Sequence, residues 1–525
     1  MELNDIKNSI NINSIGIYSY KKLTYIIEKM IKDFSLSEKS TKMILLSTLA
    51  LSLILRIFKL DAEDIWVDEM FSINLAHNNI FEIITGSLKD LNPPLYYIIL
   101  HYWSSLFGNG EFVTRIPSVI FGIISIYIIY KIGRLILNKE VGLISAFMLS
   151  ISLFHIRYSQ EARSYSLLVL LVLISNYYFF QILKEDKNKI DKNKITDIWK
   201  KKIFIDIKKL GYLISTVAML YTHFYGIFYV MFQNIYYLLI YRKDIKNWII
   251  LQGSILLLFI PWLPFVLAQT TRIINKGLPI IGPPTLEKFY RTMETFSGNG
   301  IILYIFFLIG MIYVLRLYKK IRLDKNKKNR KEEIKSSGII FLLGWLFVPI
   351  IISMAISYFI MPIYVDRYVI ASLPSLILIF SMMTYNIRKT VIILALLIIF
   401  IVPTISATER YYEKPQKEEW KKAVNYIEAH KKDGDFIIIF PEFRGLPFAY
   451  YYNKTNNRSD FKATNNITEI ENIIKGHNRV WFVTTIIRRD LKEDAKDIEK
   501  IFSKNFIRGK TIKFSNIKIY LYSKN

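Results

Sequence analysis

Between Met43 and Ala407 the sequence is a succession of apolar runs separated by short polar segments. Most runs approach the ~20 helical residues that cross a bilayer's hydrocarbon. A soluble core does not require many such runs, and 525 residues, 52% of them hydrophobic, exceed what one soluble core accommodates. The net charge of +27 would suit nucleic acid. However, the lysines and arginines gather in short segments between apolar runs, the pattern of an orientation bias rather than a basic patch. No nucleic-acid partner is therefore expected. The absence of cysteine removes disulfides and thiolate metal sites. Residues 1–42 are polar and lysine-bearing, with no short apolar core ending in a small-residue cleavage site. The first run is expected to anchor the chain uncleaved.

The order of charges suggests a topology. Segment 1–42 carries seven lysines, whereas 59–92 carries Asp61, Glu63, Asp64, Asp68, Glu69, Glu82 and Asp90 against Lys59 and Lys89. The bias places the N-terminus in the cytoplasm and Asp68 outside. Residues 93–107 are apolar but only fifteen in number, a length typical of an interfacial helix. If that segment does not cross, spans at 43–58, 115–135, 141–157, 164–183, 210–222, 224–241, 248–267, 299–317, 337–359, 368–386 and 390–407 place every strongly basic loop inside, including 184–209 and 316–335. If it crosses, all of them face outward. The expectation is a polytopic α-helical membrane protein of about 11 transmembrane helices with a juxtamembrane helix at 93–107. It would comprise a cytoplasmic segment 1–42, a membrane domain 43–407 and an extracytoplasmic α/β domain 408–525. The last shows an amphipathic helix at Trp420–His430, β-rich runs at 436–440, 480–484 and 517–522, and helical patterns near 466–475 and 491–504. Sequons at Asn453, Asn457 and Asn466 fit an external side.

This topology gathers polar clusters on one face: Trp66 to Glu69, Asn92-Pro93-Pro94, Tyr158 to Arg163, Tyr221-Thr222-His223, and Asp366-Arg367-Tyr368. Ionisable groups at a membrane edge are costly and suggest a site. Asp68 and Glu69 are neighbours and cannot point at one spot from a regular helix or strand. One is expected to be catalytic, as general base on a hydroxyl, and the other structural. Arg115, Arg163 and Arg367 begin inward-running spans, where a cation opposes the helix dipole. They could hold a phosphate or pair with lipid head groups. His223 is either a hydrogen-bonded structural residue or a metal ligand. A divalent cation is possible, but no ligand spacing specifies one. No Walker-type phosphate loop supports use of ATP.

Five stretches, WVDEMFS, NPPLYYIILHYWSSLFGNGEFVTRIPSVIFG, HIRYSQEARSYSLLVLL, YTHFYGIFYV and DRYVIASLPSLIL, resemble in order those of family-39-like glycosyltransferases. These are relatives of the protein O-mannosyltransferases and the lipid A aminoarabinose transferases. The resemblance covers roughly residues 40–400. It implies a GT-C fold and transfer of a sugar from a polyprenyl-phosphate carrier to an acceptor outside the cytoplasm. It maps the family's first-loop acid onto Asp68, with Glu69 beside it, and the second-loop polar cluster onto Gln160, Glu161 and Arg163. Where the aminoarabinose transferase has an acidic–basic pair before a single proline, this chain has Asn92 and Pro93. The lipid-phosphate and metal contacts known there are not carried over.

The expected activity is that of a membrane glycosyltransferase in the cell membrane. An acceptor hydroxyl on a protein, lipid or glycan, deprotonated by Asp68, would attack the anomeric carbon with inversion. Arg163, Arg367 and Tyr368 would hold the departing lipid phosphate, and Gln160, Glu161, Tyr221, His223 and Asp366 would line the substrate site. A transporter or flippase of lipid-linked sugars would use the same cations without chemistry, though the chain shows no internal repeat. A lipid-linked oligosaccharide ligase is a further alternative.

Overall fold

The structure, a computed structural model, describes residues 35–88, 92–189, 206–242, 244–276, 282–306, 308–311, 330–386, 390–452, 459–485 and 492–524. Most of the basic segments used to argue orientation (1–34, 190–205, 312–329), Lys89 and Asp90, and the sequons at Asn453 and Asn457 lie outside the described residues. Asn466 is a helix cap: its side chain accepts from Thr468 N and Glu469 N at the start of Ile467–Gly476.

Among the described residues seven helices are long and apolar enough to cross a bilayer, or nine if each of two bent pairs counts as one span. The two other expected spans are the short helices Ile207–Leu220 and Gly226–Tyr241. They are held in the bundle by interhelical polar bonds. Tyr212 Oη donates to Gln233 Oε1 at 2.9 Å, and Gln233 Nε2 donates to Ser175 Oγ and Asn176 Oδ1, both at 2.9 Å. Such bonds hold helices together where the hydrophobic effect gives no help. The segment between the expected spans 248–267 and 299–317 is largely helical among the described residues, in Leu263–Lys276 and Leu286–Ser297, and the latter meets Gly300–Met311 at 87°. The segment expected at the interface is a helix, Leu95–Phe107, of 13 residues.

One bend positions the loop that carries Gln160 to Arg163. Helices Lys139–Ile151 and Leu153–Ser159 meet at 62°. A break in a buried helix frees carbonyls that need new donors. Arg56, fully buried near the end of helix Glu38–Ile57, supplies them: Nη1 donates to Ser150 O at 3.0 Å and Nη2 to Leu149 O at 3.4 Å, with His155 Nδ1 2.7 Å away. Helix Glu111–Ile136 approaches this bend closely at Gly122, where a Cβ would stand 2.4 Å from Ser159 Oγ.

Beyond the bundle lies a small sheet domain. Strands β1 (Phe436–Phe440), β2 (Phe461–Ala463), β3 (Arg479–Thr485), β4 (Phe506–Phe514) and β5 (Ile517–Lys524) are arranged β2-β1-β3-β5-β4. β1 is parallel to β2 and β3, and β5 is antiparallel to β3 and β4. A sheet with both faces covered needs apolar residues at every position of its central strands, and Ile437 to Phe440 are all fully buried. Alternate residues face opposite ways. Ile438, Phe440, Val480 and Phe482 pack with Ile470, Ile474, Ile498 and Phe502. Ile437, Ile439, Trp481 and Val483 pack with Trp420, Val424 and Ile427, in a core continuous with that of the bundle. The sheet domain is thereby docked on the membrane domain. β2, β4 and helix Gly445–Tyr452 were not expected from the sequence.

Candidate active site

Asp68 and Glu69 open helix Val67–Ala76. Consecutive helical residues project about 100° apart, and the two carboxylates have different surroundings. Glu69 is fully buried. Arg115 grips it with both arms of its guanidinium, Nε to Oε1 and Nη2 to Oε2, each at 2.8 Å. Ala162 N donates to Oε1 at 2.9 Å and Lys417 Nζ to Oε2 at 2.8 Å. Burial alone would raise this carboxyl, but Arg115 and Lys417 outweigh it and hold the group down to about 2. Glu69, named with Asp68 as a candidate catalytic carboxylate, is therefore the structural one of the pair, a tie between four chain segments that is shielded from solvent.

Asp68 remains partly open, its side chain 29% exposed, with Arg367 Nη2 3.5 Å from Oδ2. The Arg367 guanidinium lies over the rings of both Trp66 and Tyr368, 5.8 and 5.5 Å from their centroids. Stacking of this kind fixes the planar group while leaving its edge available. Asp366 accepts from Arg367 N at 2.7 Å and starts the turn that presents the arginine.

The other two arginines at helix starts do different work. Arg115 serves Glu69. Arg163, expected to hold phosphate, donates from Nη1 to Asp68 O and to Ser72 Oγ, both at 3.0 Å. It anchors the backbone of the helix that bears Asp68. Gln160, expected to bind substrate, donates to Arg56 O at 3.1 Å and Phe58 O at 3.0 Å, closing the end of the first helix. Tyr221 bonds through its hydroxyl to Leu258 O at 3.0 Å and packs on Phe259 and Trp262, apart from the Asp68 group.

Glu161 does reach the site. It is 1% exposed, with Arg157 Nε 3.7 Å from Oε1. Burial raises its pKa, Lys417 and Arg157 pull it down, Glu69 pushes it up, and the net shift is upward. Trp66 Nε1, Tyr165 Oη, Arg367 Nε and Glu161 Oε2 are all buried without a hydrogen-bond partner among the described residues. Such atoms are costly to leave unpaired, and this group suits a polar ligand between Asp68 and the Tyr165–Tyr368 stack.

His223 stands at the far side of that stack, its ring 6.0 Å from Tyr165, 5.5 Å from Tyr225 and 5.1 Å from Tyr368. Its Nδ1 accepts from Tyr225 N at 3.1 Å. Among the described residues no three His, Asp or Glu side chains gather as a cation site. From His223 and Tyr368 a cavity of about 360 Å³ opens between residues 220–228, 259–270 and 361–363. Its walls are almost wholly apolar (Leu220, Ile227, Phe228, Phe259, Leu263, Val266), with Asn92 and Gln269 among the exceptions.

Thus Asp68, Glu161, His223, Asp366, Arg367 and Tyr368 come together, whereas Glu69, Gln160 and Arg163 form the frame behind them and Tyr221 stands aside. Arg157, Tyr165 and Lys417 are additional. Arg157 could have been found four residues before Glu161, on the same helical side. Lys417 carries no local signal.

A family model described as dolichyl-phosphate-mannose-protein mannosyltransferase matches residues 91–191, which include Asn92 and the Gln160–Arg163 turn. No curated protein matches the chain. Among solved structures, the chain is similar to ArnT from Cupriavidus metallidurans bound to undecaprenyl phosphate, at 8% identity and a TM-score of 0.55, over 91% of this chain and 97% of that one. It is similar also to the oligosaccharyltransferase AglB from Archaeoglobus fulgidus in complex with an inhibitory peptide and a dolichol-phosphate. That match has 10% identity and a TM-score of 0.56, over 92% of this chain and 74% of that one. At such identities the likeness is one of fold. The chain has the GT-C architecture, a multi-pass helical membrane domain with a small C-terminal sheet domain, and resembles the O-mannosyltransferases and ArnT.

Proposed function

We propose that the chain is a membrane glycosyltransferase that moves a sugar from a polyprenyl-phosphate carrier to an acceptor hydroxyl at the extracytoplasmic face. The observation that carries this reading is the pairing of an accessible carboxylate with a stacked arginine, Asp68 and Arg367 at 3.5 Å, beside the head of an apolar cavity. The two solved relatives hold undecaprenyl phosphate and dolichol-phosphate, which supports the same class of carrier here.

In the reaction, Asp68 accepts the proton of the acceptor hydroxyl as its oxygen bonds to the anomeric carbon. The bond from that carbon to the phosphate oxygen breaks, and polyprenyl phosphate leaves with the electron pair. One displacement inverts the anomeric centre. The leaving phosphate is already a stable anion and needs a cation more than a proton, a role suited to Arg367. Tyr368 spans the boundary between site and cavity, so the first isoprene units would follow it between residues 220–228 and 259–270. Glu161, with its free oxygen, and Tyr165 face the sugar. The site faces outward if the basic segments lie inside, with residues 43–407 as the membrane domain and 408–525 as the outer one.

The test is transfer from a panel of radiolabelled polyprenyl-phosphate sugars, with the purified chain in sealed vesicles containing membrane acceptors. Label passing to a new species supports the reading. Label crossing the bilayer on an unchanged donor, with no product, would replace it with a lipid-sugar flippase.

A further inference from the structure

The segment joining the last membrane helix to the sheet domain lies along the acidic stretch that leads to Asp68. Gln416 N donates to Glu63 Oε1 at 2.9 Å and Lys417 N to Glu63 Oε2 at 3.0 Å. Lys421 N donates to Asp64 Oδ2, and its Nζ to Glu111 Oε2, both at 2.8 Å. Helix Gly445–Tyr452 adds Tyr451, whose hydroxyl accepts from Ile65 N at 2.7 Å. The run from Glu63 to Ile65 is thus held from one side by residues of the C-terminal third of the chain, and through its Glu63 and Asp64 carbonyls by Arg115.

One side chain of this strap passes inward. Lys417 is 9% exposed, and its Nζ meets Glu69 Oε2 at 2.8 Å. There Glu69 and Glu161 are buried acids, and Arg115, Lys417 and Arg163 are buried bases, of which Arg115 and Lys417 bond the Glu69 carboxylate directly. Arg157, the other cation in ion-pair contact with Glu161, is 44% exposed and 3.7 Å away. Without Lys417, Glu161 would face Glu69 with that half-exposed arginine and the more distant Arg367 as its remaining cations. A buried charge left unpaired drives rearrangement, and Asp68 is covalently next to Glu69.

We infer that Lys417 is a positioning residue through which the strap and sheet domain set the geometry of the Asp68 helix, so that transfer requires the C-terminal domain to be docked. This rests on Asp68 being the base, but its structural half is separately measurable. It differs from acceptor recognition by the outer domain, because Lys417 acts from behind the site and touches no substrate.

The experiment compares Lys417→Met and Lys417→Arg in the full-length chain. Lys417→Met is expected to lower kcat about tenfold or more, the effect of losing a charged hydrogen bond, with the donor KM unchanged. Lys417→Arg should recover most of kcat. Amide hydrogen exchange over residues 61–76, measured without donor, should be faster in Lys417→Met and near wild type in Lys417→Arg. If Lys417→Met does not fold, Lys417→Gln, which keeps a donor without charge, replaces it. Wild-type kcat together with wild-type exchange would overturn the inference, as would a raised donor KM at unchanged kcat. A wild-type chain that transfers no sugar would defeat the proposed function, and the exchange rates would still decide whether Lys417 holds the Asp68 helix.

Discussion

Adjacent carboxylates with opposite roles should respond oppositely to the same mutation. Glu69→Gln removes one negative charge from a position that receives two bonds from Arg115, one from Lys417 and one from Ala162 N, all between 2.8 and 2.9 Å. The amide keeps one accepting oxygen and turns an NH2 group toward a cation. Removing one partner of a buried ion pair typically costs about 3–5 kcal/mol, because the other charges stay desolvated and uncompensated. Asp68→Asn loses a partly exposed contact of 3.5 Å to Arg367, worth roughly 1 kcal/mol at most. Unfolding of both variants in mixed micelles with rising SDS, followed by tryptophan fluorescence, measures the contrast. Glu69→Gln should move the midpoint far below wild type, and Asp68→Asn should barely move it. Equal midpoints, or a larger loss for Asp68→Asn, would refute the division of labour between them.

The same carboxylate predicts an acid sensitivity. Its pKa falls from 4.5 to about 2 on folding, so on the order of 3 kcal/mol of stability is fully present above pH 4.5 and is lost as pH drops toward 2. Glu69→Gln should flatten the stability–pH curve in that window. Arg367→Ala should weaken retention of polyprenyl phosphate roughly ten- to hundredfold, the worth of charge-assisted hydrogen bonds, as read by native mass spectrometry of the detergent complex. Val266→Trp, on the cavity wall, should block full-length donors while leaving transfer from a short-chain donor analogue intact; equal loss with both donors would remove the cavity as the lipid path.

The membrane helices were legible because lipid imposes one solution on each apolar run. Their ends and bends were less so. Arg56 sits in an apolar stretch, and nothing local shows that it meets carbonyls nearly a hundred residues on, at Leu149 and Ser150. In the sheet domain, FIIIF and RVWFVTT declare themselves as buried strands. β4 does not, because FIRGKTIKF is an exposed edge interrupted by Gly509, and neither does β2, only three residues long. In the site, the order of the polar clusters brought Asp68, Glu161, His223, Arg367 and Tyr368 together. Three helix-start arginines looked equivalent in sequence, yet Arg115 binds a buried carboxylate and nearby carbonyls, Arg163 a backbone carbonyl and a hydroxyl, and Arg367 faces the site. That distinction depends on which face each turn presents. Lys417 lies in KPQKEEWKK, a run that reads as ordinary surface, and its partner Glu69 is 348 positions earlier.

The most direct test of the central claim is the rate of sugar transfer by Asp68→Asn under saturating donor. The variant keeps the size of the side chain and gives up only the 3.5 Å charge contact with Arg367, but it cannot accept the acceptor's proton. The account predicts a folded, membrane-inserted protein that binds polyprenyl phosphate like wild type and whose kcat is lower by roughly 10²–10⁴-fold, the contribution of a general base. A kcat within about threefold of wild type, less than 1 kcal/mol in the barrier, would contradict it and remove Asp68 from the chemistry.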